Sequence, residues 1–248
     1  MLRLLLVISC LLLAILSLSG CRGRKAGGRV DYSSDRGRQI VQSSASDSPL
    51  TVSCPIGMVL IPNGPTIHGP VEEKNGVAGE KEERLTMKAF CIDKYEYPNQ
   101  PGESPMRSVT WVEAKNLCGT KGKRLCSEFE FEKACRGPSS TKYTYGDGYA
   151  EGACATAAQD YGLGQFNNCV SSFGAHDMSG GIYEWTSSGP GESSGASNEM
   201  KFLRGGMAAD NPTVTSSCTY RVRYGVTSSG REVGFRCCAA TTKEELSK

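Results

Sequence analysis

A chain of 248 residues with 38% apolar content can bury a real core in one domain or two. Its net charge of +2 gives no electrostatic reason to expect nucleic acid or a strongly acidic partner. Twelve cysteines are too many for an ordinary reducing cytosol, so a metal site or an oxidising compartment must account for them. Thirty glycines with 8% aromatic residues suit a loop-rich fold better than a helical bundle.

After Arg3, residues Leu4 to Leu18 are almost wholly apolar. That run of about 15 residues is short of the ~20 that span a bilayer and right for a signal-peptide core. It ends in Leu18-Ser19-Gly20-Cys21, which resembles the lipobox of bacterial lipoproteins. The resemblance implies that residues 1–20 are a lipoprotein signal peptide, cut just before Cys21, whose sulfur carries the lipid. Two or three acyl chains, at ~0.8 kcal/mol per buried methylene, hold a protein stably at a membrane. The expected location is therefore outside the cytoplasm, lipid-anchored, at the outer membrane of a Gram-negative cell envelope. An uncleaved membrane anchor and an ordinary signal cut nearby are the competing readings.

Residues 21–53 are rich in Ser, Gly, Arg and Asp, as in Ser33-Ser34-Asp35-Arg36-Gly37-Arg38, and poor in large apolar side chains. Such a stretch cannot offset its chain entropy by burial and reads as a flexible tether. Arg22, Arg24, Lys25, Arg29, Arg36 and Arg38 outnumber Asp31, Asp35 and Asp47. Beside an anionic membrane each adds roughly a kcal/mol, and an ordinary solvated linker explains them equally well. Without signal and tether the remainder carries about −2, so it has no basic binding face.

Residues 54–240 have the pattern of a globular domain, followed by a tail at 241–248. Met58-Val-Leu-Ile-Pro62 and the run from Met87 to Tyr95 read as strands. Thr110 is placed to cap a helix that turns Trp111, Ala114, Leu117 and Cys118 to one face. Ser127 and Glu130 form a capping box for a second helix, with Phe131, Ala134 and Cys135 on one face and a stop at Gly137-Pro138. Long Gly-, Ser- and Asn-rich connections follow, and the ten cysteines beyond Cys10 and Cys21 are an even number, as a disulfide framework requires.

Seven blocks in order carry a resemblance to a known family. They are Met58-Val-Leu-Ile-Pro62, Phe90-Cys-Ile-Asp-Lys-Tyr-Glu-Tyr-Pro-Asn99, Gly122-Lys-Arg-Leu-Cys-Ser-Glu-Phe-Glu-Phe-Glu132, Tyr143-Thr-Tyr-Gly146, Asp177-Met-Ser-Gly-Gly-Ile-Tyr-Glu-Trp-Thr186, Leu203-Arg-Gly-Gly206 and Gly234-Phe-Arg-Cys237. With them the chain resembles the formylglycine-generating enzyme, or sulfatase-modifying factor, family in a Cys-rich bacterial lipoprotein form. The resemblance implies an α+β fold of the C-type-lectin-like kind: short sheets, two helices, extensive irregular loops and disulfide staples.

The family's known chemistries do not carry over residue by residue. Its copper oxidases hold the metal on two thiolates after the Arg-Gly-Gly block. Here Asp210 stands at the first ligand position, and Cys218 is the single cysteine between Val170 and Arg236. Its iron enzymes use three histidines, and this chain has only His68 and His176. No copper or iron is therefore expected. For calcium the resemblance points to Gly181, Ile182 and Glu184, where Gly181 lacks the side-chain oxygen of the family's asparagine. The alternative is that Glu184 pairs with a neighbouring arginine. The resemblance also implies the disulfides Cys118–Cys237 and Cys135–Cys218; Cys154–Cys169 would close a Gly/Ala-rich loop. Cys54, Cys91, Cys126 and Cys238 are left with three connectivities that sequence does not rank.

The expected function is a non-catalytic binding or structural module of the cell envelope, with a protein, peptide or glycan as ligand. The alternative is an enzyme of the family, with unrecognised chemistry at an open site near Asp210, Tyr220 and Trp185 or with residual oxidoreductase activity.

Overall fold

Thr110 and Ser127 each stand three residues before a glutamate, and each pair closes a capping box. Thr110 Oγ1 accepts the Glu113 N–H while Glu113 Oε2 accepts the Thr110 N–H at 2.8 Å. Ser127 and Glu130 repeat the exchange. These caps start α1 (Trp111–Thr120) and α2 (Glu128–Arg136), and α2 stops at Gly137, whose φ of +65° suits a residue without Cβ. The computed structural model of the protein describes residues 38–39, 51–70, 72–73, 81–155, 160–190, 199–206 and 211–244. The expected signal peptide at 1–20, the expected lipid-attachment residue Cys21, and Asp210 lie outside them. No helix among the described residues is long and apolar enough to cross a membrane.

The strands are short, as loop-rich sequence implies. They are β1 (Arg38–Gln39), β2 (Thr51–Ser53), β3 (Met58–Ile61), β4 (Gly64–His68), β5 (Glu72–Glu73), β6 (Glu83–Met87) and β7 (Phe90–Asp93), then β8 (Arg124–Leu125) between the helices. After α2 come β9 (Tyr183–Trp185), β10 (Met200–Arg204), the one-turn helix α3 (Pro212–Thr215), β11 (Tyr220–Gly225), β12 (Val233–Phe235), β13 (Cys237–Ala240) and β14 (Thr242–Glu244). They form a five-stranded sheet ordered β12-β9-β10-β11-β5, a four-stranded sheet ordered β3-β7-β13-β8, the pair β4-β6, and a small sheet β1-β2-β14. The α+β class is as expected.

The small sheet joins segments from either side of the expected 54–240 domain. Thr51–Ser53, read as the end of the tether, pairs with Thr242–Glu244, read as tail. Backbone pairing holds them together with the Ser53 and Thr242 hydroxyls, 2.7 Å apart, and Cys54–Cys91 lies beside them. The strand expected over 87–95 is formed only from Phe90 to Asp93, because Asn99 Oδ1 accepts the Tyr95 N–H and turns the chain.

Strand β13 organises the interior. Successive side chains of a strand point to opposite faces, so Cys237 and Cys238 face different cores. Cys237 bonds Cys118 at the end of α1, among Trp185, Leu203, Val233 and Phe235. Cys238 bonds Cys126 ahead of α2, among Ile61, Ile92, Phe131 and Met178. Cys135–Cys218 joins α2 to the entrance of β11, and Cys154–Cys169 closes a loop. The three pairs implied from sequence are thus formed, and the four open cysteines pair as Cys54–Cys91 and Cys126–Cys238.

Candidate functional site

The junction of β12 and β13 places Arg236 beneath Glu184, the middle residue of β9, because Gly234 is in register with Glu184. Arg236 Nε and Nη2 donate to the two Glu184 oxygens at 2.7 Å each, and Nη1 donates to the His176 carbonyl at 3.0 Å. Glu96 Oε2 lies 3.7 Å from Nη2, and Tyr161 donates its hydroxyl to Glu96 Oε1 at 2.7 Å. Asp177 accepts the Gly164 N–H on Oδ2 at 2.7 Å. Arg236, Glu184, Glu96 and Asp177 are all buried, so one guanidinium serves three carboxylates out of water.

The electrostatics follow from that ratio. Burial pushes Glu96 well above the usual carboxylate range; neighbouring Asp177 and Glu184 add to the shift and Arg236 opposes it. Burial raises Asp177 to about 6 against the pull of the Gly164 N–H and Arg236. Burial also raises Glu184, with Arg236 opposing. For Arg236, burial alone would lower the value, but Glu184 and Glu96 more than reverse it. His176 falls to about 4 through burial and the charges of Lys94 and Arg236.

Asp177 therefore binds its proton more tightly in the fold than in the unfolded chain, where its value is 3.8. Its stabilising contribution is complete below that value and is lost as pH rises through about 6. Asp177→Asn keeps an acceptor for Gly164 and tolerates the φ of +58°. The variant should be more stable than wild type at pH 7.5 by about 1–3 kcal/mol, with the gain gone by about pH 4, as urea denaturation at the two pH values would show.

The calcium set implied for Gly181, Ile182 and Glu184 does not form. Both Glu184 oxygens are taken by Arg236, so a cation there would have to displace a buried guanidinium. At Gly181, φ is +70° and a Cβ would stand 2.5 Å from the Tyr161 hydroxyl, so no asparagine fits. Ile182 is buried in the apolar interior. The arginine pairing is the alternative that the structure takes.

A second ionic network was not legible in the sequence, since the charges of α2 look like a solvated face. Arg204, fully buried on β10, donates through Nη2 to Glu132 at 2.9 Å and to Glu128 at 3.1 Å, and through Nη1 to the Thr219 carbonyl at 2.8 Å. Arg221 joins Glu128, while Arg136 and His68 join Glu132. Burial would raise Glu132, but Arg204, His68 and the Gly69 N–H hold it down at about 2. The signal, in retrospect, is the supply of Arg204 and Arg221 by β10 and β11, opposite the α2 glutamates.

The sulfur and imidazole groups are equally committed. All ten cysteines of the described residues are in disulfides, so no thiolate pair for copper exists among them. His68 packs on Phe129 within the α2 network, whereas His176 packs on Tyr95, so the two histidines belong to different surroundings and make no iron site. No group of three or more His, Cys, Asp or Glu among the described residues could hold a metal. Trp185 and Tyr220 do not line an open site: both are buried, and Trp185 Nε1 donates to the Val109 carbonyl at 2.8 Å. Their place on β9 and β11, flanking β10, makes them core residues.

At the surface, a groove of about 430 Å³ runs beside α1, with Met106, Val109 and Leu117 along it and Arg107, Glu113, Asn116 and Thr120 at its polar edge. Met106 is 40% exposed and neighbouring Val112 50%.

A profile for the sulfatase-modifying factor enzyme 1-like domain matches residues 96–241. Hercynine oxygenase of Mycolicibacterium thermoresistibile is 34% identical over 96 residues, 36% of this chain and 22% of that protein. Inactive C-alpha-formylglycine-generating enzyme 2 is 30% identical in Mus musculus over 164 residues, 58% of this chain and 52% of that protein. The Bos taurus counterpart is 29% identical over 155 residues, 55% of this chain and 50% of that protein. The chain thus spans between about a fifth and a half of these relatives. Among solved structures, Treponema denticola variable protein 1 superposes with a TM-score of 0.60 at 14% identity, covering 82% of this chain and 99% of that one. PvdO from Pseudomonas aeruginosa gives 0.55 at 20% identity, covering 74% and 94%.

Proposed function

Since the chain belongs to the sulfatase-modifying factor enzyme 1-like family and has its C-type-lectin-like α+β fold, we propose that it uses that scaffold for binding rather than catalysis. In this reading it is a module of the cell envelope, held at a membrane by lipid on Cys21, with a protein, peptide or glycan as ligand. The observation that carries it is the commitment of every described cysteine to a disulfide and of Glu184 to Arg236, which leaves no free thiolate pair among the described residues. Likeness to mammalian proteins named inactive supports the same side. Five disulfides support export, because such pairs persist in oxidising compartments. The groove beside α1, with apolar floor and polar edge, has the composition of a contact surface.

Two measurements test this. Full-length chain incubated with oxygen, Cu(I) and Cys-bearing peptides should leave the peptide masses unchanged; conversion of cysteine to an aldehyde would defeat the binding reading. Cells expressing the chain should incorporate labelled fatty acid into it, and Cys21→Ser should abolish the label; label persisting in that variant would defeat the anchor.

A further inference from the structure

Among the described residues, the most exposed large apolar side chain lies away from the groove beside α1. It is Ile56, 102% exposed, at the tip of the turn that leads from β2 into β3. The turn runs Pro55-Ile56-Gly57-Met58 and is closed by the Met58 N–H on the Pro55 carbonyl at 3.1 Å. Gly57 has a φ of +79°, the left-handed value that a type II turn demands at its third position. Ile56 therefore holds the outer corner, where a polar side chain would serve the turn as well and meet water more favourably.

The corner is braced. The Gly57 carbonyl accepts the Lys94 N–H at 3.1 Å and the Asn99 side-chain amide at 2.9 Å, and Cys54, just before the turn, is bonded to Cys91. A side chain held out by a fixed backbone loses little entropy on meeting a surface. The exposed charge around it has one sign. Lys94 joins the turn through its backbone, and its ammonium lies 5.3 Å from the centre of the half-buried Tyr95 ring. Lys123 reaches the same corner, because its ammonium pairs with Asp93, which also accepts from Asn99. Lys121, two residues earlier, is exposed, whereas Asp93 and Glu96 are buried. The domain's net charge of about −2 averages over this local group of cations. An aliphatic tip beside a tyrosine and lysines is the composition that seats among the headgroups of an anionic bilayer.

We propose that this corner is the domain's contact with an anionic bilayer, Ile56 entering the boundary between headgroups and acyl chains while Lys94, Lys121 and Lys123 meet headgroup phosphates. The proposal rests on the reading of Cys21 as the lipid anchor and names the face that the anchor presents to the membrane. Strand β1 pairs with β2, and β2 runs through Cys54 straight into the turn, so the corner lies where the chain from Cys21 enters the fold. Arg38 follows Cys21 by 17 residues, which reach at most about 60 Å, enough for the corner to touch the surface. The lysines favour a lipid surface over an apolar pocket on another protein, since a bilayer presents many phosphates around an apolar layer.

The test places an indole at the tip. Full-length Ile56→Trp, expressed with labelled fatty acid, would be reconstituted into vesicles of brominated phosphatidylcholine with about a third phosphatidylglycerol. Subtracting the wild-type emission removes Trp111 and Trp185, and Val112→Trp, at a 50% exposed position on α1, is the control. The Ile56→Trp emission should shift to the blue and lose about half its intensity to the bromines, while that of Val112→Trp should be unchanged. Adding Lys94→Glu and Lys121→Glu should reduce the quenching about twofold, as should leaving out phosphatidylglycerol. No quenching at the tip, equal quenching at both positions, or quenching indifferent to the lysines and to anionic lipid would overturn the proposal. Shielding of the tip from acrylamide without bromine quenching would mean a contact between copies of the chain, and would overturn it too. If the chain carries the fatty-acid label and the tip stays unquenched, the contact falls and the anchor stands. A chain without label brings down the anchor and the contact together.

Discussion

Replacing Arg236 by methionine is expected to cost about 3–5 kcal/mol at pH 8, because it removes the one guanidinium from among three buried carboxylates. Methionine replaces much of the side-chain volume but none of the charge. Glu184 loses both of its hydrogen bonds from Arg236, and Glu96 and Asp177 lose the charge that opposes their shifts. All three carboxyls already sit above their ordinary values of 3.8 to 4.5, and without Arg236 they rise further. The folded variant then holds more protons than its unfolded chain. Its missing stability returns below pH 4 and is lost as pH rises through the shifted values. The gap between wild type and Arg236→Met should therefore be widest at pH 8 and much smaller at pH 5. Urea midpoints at both pH values check this; an equal gap at both would mean that lost packing, not stranded charge, dominates.

Cys118→Ser with Cys237→Ser should lower stability by about 5 kcal/mol, since that bond closes 119 residues. Cys154→Ser with Cys169→Ser should lower it by only about 3 kcal/mol, from a separation of 15. For a domain whose total is of order 5–15 kcal/mol, the first pair decides whether the chain stays folded at growth temperature. The reason is architectural as well as entropic. Cys237 and Cys238 are adjacent on β13 and face opposite ways, so together they pin both cores to one strand. Thermal unfolding of the two double variants would rank them, and equal losses would contradict the loop-length argument.

Local signals in the chain account for much of this fold. Thr110-x-x-Glu113 and Ser127-x-x-Glu130 announce both helices, because a cap is a contact between residues three apart. Ala114, Cys118, Phe131, Ala134 and Cys135 show their burial by period. Failures occurred where partners are distant in sequence. Glu128 and Glu132 look solvated until β10 and β11 bring Arg204 and Arg221 against them, over 70 residues away. Glu184 reads equally as a metal ligand or an ion-pair partner, and only the register of β12 against β9 decides for Arg236. The alternative enzyme reading places Trp185 and Tyr220 near an open site. Their alternation on β9 and β11 puts them inside instead. Thr51–Ser53 and Thr242–Glu244 pair through backbone and a Ser53–Thr242 hydroxyl contact, which composition does not reveal.

The central claim is that this scaffold's sulfur is structural and holds no catalytic metal, and a Cu(I) competition titration tests it most directly. Oxidised full-length chain would be titrated against a colorimetric Cu(I) chelator, with metal content measured after dialysis. With all ten described cysteines paired, the chain should take no stoichiometric copper from the chelator. Retention of about one copper per chain, against a chelator of subnanomolar affinity, would contradict the account.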